Sequence, residues 1–142
     1  MLPLKDISDL IPQKKPFVMI DRLDHSDDTS TVCSLTVRDS NLFVRDGYFC
    51  EPGLIENIAQ TAAARVGYIA MTHKAPVPLG FIGAIRNLEI FDLPQTGEVL
   101  RTEIKIINQV FDVTIISGTI RTGEKILAQC EMKIVLNPEK KV

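Results

Sequence analysis

Tryptophan is absent from the 142 residues, and all aromatics together make up only 6%. So few rings argue against a base-stacking platform or a sugar-binding cleft, both of which present flat aromatic faces. Neither sign of charge dominates: Lys and Arg number 16 against 18 Asp and Glu, a formal net charge of -2. A nucleic-acid partner would favour a basic face, and this balance gives none. The only basic run, Glu139-Lys140-Lys141, reads as a solvated tail. No apolar run approaches the length that spans a bilayer. The opening Met1-Leu2-Pro3-Leu4-Lys5-Asp6 lacks a basic region leading into an apolar segment, so neither a membrane span nor a secretory leader is expected. Cys33, Cys50 and Cys130 are odd in number and include no C-x-x-C, which suits reduced thiols in the cytoplasm rather than a disulfide framework. His25 and His73 show no metal-ligand spacing with any cysteine, so no metal or other cofactor is expected.

What is present is apolar. Hydrophobic residues make up 45% of the chain, enough for one domain over residues 1–142 whose core needs no disulfide or structural metal. Lys5 to Leu10 reads as one short helical turn capped by Asp6 or Ser8 and stopped by Pro12. Strands are expected at residues 17–23 and 31–38, joined by the polar turn Asp24-His25-Ser26-Asp27-Asp28. Pro52-Gly53 then opens a long helix from Leu54 to about Met71, apolar at 55, 58, 59, 62, 63, 66, 69 and 70. A helix apolar nearly all round is buried on most sides, and its small residues, Ala59 to Gly67, would let a sheet approach closely. Strands follow at about 80–91, 98–108, 112–121 and 125–136. Parallel α/β folds need a helix for each crossover, and this chain has one. The pattern of hairpin, buried helix and four-stranded meander therefore predicts an α+β fold, an antiparallel sheet wrapped around one central helix.

Glu56 stands out as a site candidate, because it lies in the first turns of the apolar helix with Gln60 four residues on, along the same face. The helix macrodipole favours a carboxylate there, and in apolar surroundings such a group can serve as acid or base. The alternative is an ordinary helix-start Glu with Gln60 as its polar partner. Backbone donors at Gly53 to Ile55 are also placed to face a carbonyl oxygen. Cys50 has no evident positioned base and reads as an incidental thiol. His25, in its acidic turn, and His73, after the helix, read as surface residues.

Three stretches carry a family resemblance: Ile11-Pro12-Gln13-Lys14-Lys15-Pro16-Phe17-Val18-Met19-Ile20-Asp21-Arg22, then Pro52-Gly53-Leu54-Ile55-Glu56-Asn57-Ile58-Ala59-Gln60, then Gly83-Ala84-Ile85-Arg86 with Gly97-Glu98-Val99-Leu100 downstream. In this order they resemble the hotdog-fold 3-hydroxyacyl-acyl carrier protein dehydratases. The resemblance implies a homodimer or higher homo-oligomer of hotdog protomers. An acyl chain, held as a phosphopantetheine thioester on acyl carrier protein or CoA, would thread a tunnel between protomers. In that family a His and a carboxylate from opposite protomers remove water. The carboxylate carries over onto Glu56, and Gly53, Leu54, Gln60 and Gly83 onto the substrate-binding stretches. The His does not carry over. Gly47-Tyr48-Phe49 stands where the family has Gly-His-Phe, and the connection into the helix is shortened. Tyr48 is a poor substitute base but can donate a hydrogen bond. Gln13 likewise stands where the opening motif usually has another His.

The shortened entry and the Glu-x-x-Ala-Gln core resemble most closely the short dehydratase-like proteins of aryl polyene and flexirubin pigment synthesis. That branch implies work on polyunsaturated acyl chains on a carrier, beside a dehydratase partner that completes the site. Three functions stay open on the sequence: a dehydratase-like enzyme using Glu56, a hotdog thioesterase in which Glu56 orients water, and a non-catalytic acyl-binding or partner subunit.

Overall fold

The computed structural model describes residues 2–141 and the side chains of residues 2–137. Its elements follow in the order β1 (Arg22–Ser26), β2 (Ser30–Thr36), β3 (Val44–Arg45), β4 (Tyr48–Phe49), α1 (Glu51–Thr72), β5 (Pro78–Ile90), β6 (Val99–Val110), β7 (Val113–Thr122) and β8 (Lys125–Lys141). The expected basic tail lies outside the described side chains.

Six strands form one antiparallel sheet in the order β1-β2-β6-β7-β8-β5. On the inner face β6 buries Leu100, Thr102 and Ile104, β7 buries Ile116 and Ile120, and β8 buries Ala128, Cys130 and Met132. This is the period-2 alternation of a half-buried strand. Across that face lies α1, with Leu54 and Ile58 packed among Leu100, Ile104, Ile116, Ile120 and Leu127. The arrangement is the antiparallel sheet around one helix that the element order anticipates, the hotdog fold that the family resemblance implies.

The close approach of helix and sheet comes from the sheet side. A Cβ on Gly118 of β7 would lie 2.5 Å from Ile58 Cγ2, so only glycine lets Ile58 seat there. The helix's own Gly67 meets the opening segment instead, where an added Cβ would fall 1.9 Å from the Leu10 carbonyl oxygen. Leu10, Ile7, Ile11, Ile20, Leu23 and Ala64 form a second apolar cluster on this side.

Two expectations from the sequence are corrected. Residues 17–21 are not strand, and β1 begins only at Arg22. Instead of a ladder partner, their backbone takes side-chain amides from α1: Met19 N–H donates to Gln60 Oε1 at 2.7 Å, Phe17 C=O accepts from Gln60 Nε2 at 2.8 Å, and Met19 C=O accepts from Asn57 Nδ2 at 2.8 Å. Nor do the last four strands form a meander, since β5 pairs with β8 at the sheet edge rather than with β6. The connection from β5 to β6 contains Pro94 and is too long for a tight hairpin. It crosses the end of the sheet, held by Phe91 N–H to Leu127 C=O, Phe49 N–H to Pro94 C=O and Gly97 N–H to Val37 C=O.

Candidate active site

The N-terminal half of α1, the residues just before the pinned opening segment and the edge strand β5 enclose a cavity of about 260 Å³. Pro12 and Gln13 form one wall, Glu56, Ala59, Ala63 and Val66 of α1 the floor, and Gly80, Phe81 and Ile82 of β5 the other wall. A second chamber of about 300 Å³ continues from it, sharing Ala62, Val66, Pro78, Ile134 and Leu136, and ending near Arg65, Gln109 and Thr114. The small side chains of α1 thus serve as lining: each alanine leaves room above the helix for something long and apolar.

Glu56 is the one titratable residue among those lining the first cavity. Its Oε1 accepts from Gln60 Nε2 at 3.2 Å, the expected one-turn contact. Gln60 is fully buried, and both of its N–H donors are taken, by Glu56 and by Phe17. It is therefore placed to orient Glu56 and to hold the opening segment rather than to meet a ligand. Behind it Asn57, also buried, accepts from Thr102 Oγ1 through Oδ1 and donates to Met19, tying helix, sheet and opening segment together.

The other residues singled out from the sequence lie away from this cavity within the chain. Leu54 is part of the core. Gly53 packs against Phe49 and Phe43, and the Gly53 and Leu54 amides both donate to the Cys50 carbonyl. The helix-start donors expected to face a carbonyl are to that extent engaged. Tyr48 is 42% exposed, and its hydroxyl accepts from Gln95 Nε2 at 2.9 Å. Gly83 sits at the bulge of β5, beside Val135 and Lys133 of β8. His25 pairs with Asp27 on the surface, and His73 Nδ1 lies 2.8 Å from the Ile69 carbonyl at the helix end. Burial pushes the Cys33 thiol up to about 12 and the Cys130 thiol up to about 11, which makes both poor nucleophiles. Among the described residues no group of three or more His, Cys, Asp and Glu is arranged to hold a metal ion, and no helix is long and apolar enough to cross a membrane.

The family described as ApeP dehydratase, ApeP-like, matches residues 5–142. The chain belongs to the ApeP-like dehydratase family. Curated relatives of this ApeP-like protein include the 3-hydroxyacyl-[acyl-carrier-protein] dehydratase FabZ of Clostridium kluyveri, 29% identical over 139 residues and covering 94% of each chain. The FabZ of Lactobacillus helveticus is 27% identical over 150 residues, covering 100% of this chain and 99% of the other. Among solved structures, a chain of the dehydratase heterocomplex ApeI:P from Xenorhabdus doucetiae superposes with a TM-score of 0.86 at 20% identity, covering 96% of this chain and 92% of that one. A hypothetical thioesterase from Streptococcus pneumoniae, solved with coenzyme A, shares the fold at a TM-score of 0.67 and 12% identity, over 82% and 87% of the two chains. This ApeP-like chain is a dehydratase-like hotdog protein related to FabZ.

One cavity residue was passed over as a site candidate in the sequence. Gln13 lines the same cavity as Glu56, and its Oε1 is buried without a hydrogen-bond partner among the described residues. The available signal was its place in the opening motif, where the resembling dehydratases carry His.

Proposed function

We propose that this protein binds acyl groups held as phosphopantetheine thioesters, on acyl carrier protein or CoA, and removes water from 3-hydroxyacyl ones with Glu56 as the proton-handling group. The observation that carries the reading is a single carboxylate, oriented by Gln60, in a cavity whose lining is apolar apart from it and Gln13 and which continues into a second chamber. The step balances on that group. Glu56 takes the proton from C2, the C3–O bond breaks as C2=C3 forms, and the departing hydroxide collects the proton to leave as water. A second polar group from another protomer would share this work, and Tyr48 of such a protomer is the candidate for it.

A second protomer has a place to dock. β5 is an edge strand, paired on one side to β8, and it exposes Phe81, Ile82, Ile85 and Leu88. An apolar edge strand is a template for pairing with another chain, which supports a homodimer or a complex with a related dehydratase. The conversion of a 3-hydroxyacyl thioester into the 2-enoyl product, followed by absorbance, tests the reading. Activity is expected for the wild type and a loss of at least about 100-fold for Glu56→Gln, the scale of a positioned acid-base group. Product formation that E56Q leaves unchanged would sink it, and release of free thiol instead of enoyl product would favour the thioesterase.

The partner-subunit reading has its own support, since no histidine is among the described residues that line the cavity and a structural relative is a chain of a dehydratase heterocomplex. Mixing with a related complete dehydratase then raises the rate and the particle size. No change in either on mixing would leave the lone-enzyme reading.

A further inference from the structure

We propose that the neck between the two chambers sets the length of acyl chain this protein takes, with Val66 as the residue that fixes its width. The inference rests on the reading of the first cavity as an acyl site and adds a specificity-determining residue to it.

The chambers share Ala62, Val66, Pro78, Ile134 and Leu136, so a ligand that reaches from one into the other passes between these side chains. Ala62 and Val66 lie one turn apart on the same face of α1, and Ile134 and Leu136 are alternate residues on one face of β8. Pro78 opens β5 with its φ fixed by the ring. The neck is therefore built on regular elements, and the size of its side chains sets its width. Gly80 shows where two of them lie, since a Cβ there would fall 3.1 Å from Leu136 Cδ2 and 3.7 Å from Ile134 Cγ2. Both side chains lean over β5 into space that the glycine leaves. Val66 is the larger of the two α1 side chains at the neck, is only partly buried, and belongs to neither apolar core cluster. A bulkier residue at 66 would fill the passage rather than displace the core.

The chemistry of the lining decides which part of the ligand goes through. In the second chamber the polar members are Arg65, Gln109 and Thr114, and the rest is apolar, Ile69, Ile106 and Ile116 among them. A pantetheine arm carries amides and a hydroxyl, which cost free energy when buried without partners, whereas an alkyl chain gains with every methylene buried. The acyl tail is the part that fits beyond the neck, and the arm leaves on the side of Glu56. Ala62 and Val66 follow Glu56 by six and ten residues on α1, about 9 to 15 Å along its axis. A short chain with C2 at Glu56 ends before the neck, and a long one crosses it.

The probes are S-butyl-, S-octyl- and S-dodecyl-pantetheine, thioethers that share the arm, resist hydrolysis and differ only in chain length. Their dissociation constants are measured by calorimetry on the wild type, Val66→Phe and Gly80→Ala. In the wild type dodecyl is expected to bind at least about tenfold tighter than octyl, well inside the roughly fourfold per methylene of full burial. V66F should bring dodecyl to within about twofold of octyl while leaving butyl within about twofold of its wild-type value. Gly80→Ala, which displaces Leu136 on the opposite wall, should reduce the dodecyl gain by less, and it takes the place of V66F if that variant does not fold. A dodecyl gain that survives the blocked neck overturns the proposal. So does equal weakening of all three probes, which would put the arm in the second chamber. A wild type that binds dodecyl no tighter than octyl overturns it too, since the chain then stops before the neck. Binding of none of the probes by the wild type overturns the acyl-site reading itself, and the proposal with it.

Discussion

Two glutamines, 47 residues apart in sequence, flank the opening segment and stand in opposite conditions. Gln60, below it on α1, is fully buried, with both donors used and its oxygen accepting from Met19. Gln13, above it on the cavity wall, has a buried oxygen that none of the described residues satisfies. The first is what a protein interior does with an amide it needs for structure, and the second is a rare exception to that rule. The seam of Gln60 and Asn57 makes the fold. The rim of Gln13 and Glu56, which line the cavity, takes no part in that seam beyond the contact of Glu56 with Gln60.

Breaking the seam should therefore cost far more stability than breaking the rim. Gln60→Leu strips the buried Met19 N–H of its acceptor, and Asn57→Leu strips Met19 C=O of its donor and Thr102 of its acceptor. Each is expected to lower unfolding stability by about 3 kcal/mol, the penalty of stranding buried polar groups. Gln13→Leu removes an acceptor that was already stranded, so it should be neutral or stabilising by up to about 1 kcal/mol. Urea unfolding of the three variants decides it. If Q13L is as destabilised as Q60L, the rim is structural and the contrast collapses.

A smaller effect sharpens the same boundary from the far end of the seam. Gly67 lets the Leu10 carbonyl lie against α1, and Gly118 lets Ile58 seat on β7. Gly67→Ala should cost about 1–3 kcal/mol, as overpacking does, because the obstacle is backbone and the whole opening segment must shift. Gly118→Ala meets a side-chain methyl rather than backbone, the Cγ2 of the fully buried Ile58, so its cost should be the lower of the two though not negligible. Equal costs in thermal unfolding would mean that the opening segment is not rigidly seated.

These differences track what could be read from the residues alone. Pro52 and the apolar spacing marked α1 to within a few residues of Glu51–Thr72, and the alternation in Thr102-Glu103-Ile104-Lys105-Ile106 marked β6. Such signals are local, carried by helix-entry chemistry and by period. The run at 17–21 misled because its backbone partners are side chains some 40 positions away, which no local pattern encodes. The place of β5 at the sheet edge is a matter of tertiary order, and an alternating strand looks the same beside either neighbour. Within the site, Glu56 and its one-turn contact with Gln60 were legible from helical spacing. Gln13 was visible only as a departure from a motif, because an unsatisfied oxygen is a property of packing.

The smallest expected effect lies on the surface, where the contrast between used and unused polar groups should fade. At the β1–β2 turn, Arg65 donates to the carbonyls of Asp27 and Asp28, and the Asp27 carboxylate accepts from the Thr29 and Ser30 amides beside His25. The Thr29 amide first, then His25 and the Ser30 amide, hold the Asp27 carboxyl well below its usual 3.8. A lowered folded value means that the folded state favours the ionised form. The contribution is therefore present above the ordinary carboxylate range and lost as pH falls through the depressed value. Wild type and Asp27→Asn should accordingly differ slightly in Tm at pH 7, with a gap that narrows steadily below about pH 4. Solvent screens this exposed turn, so the gap at pH 7 should be well under that of either seam variant. No gap at any pH would show that the turn is held by its backbone alone, and a gap unchanged down to pH 2 that Asp27 acts without its charge.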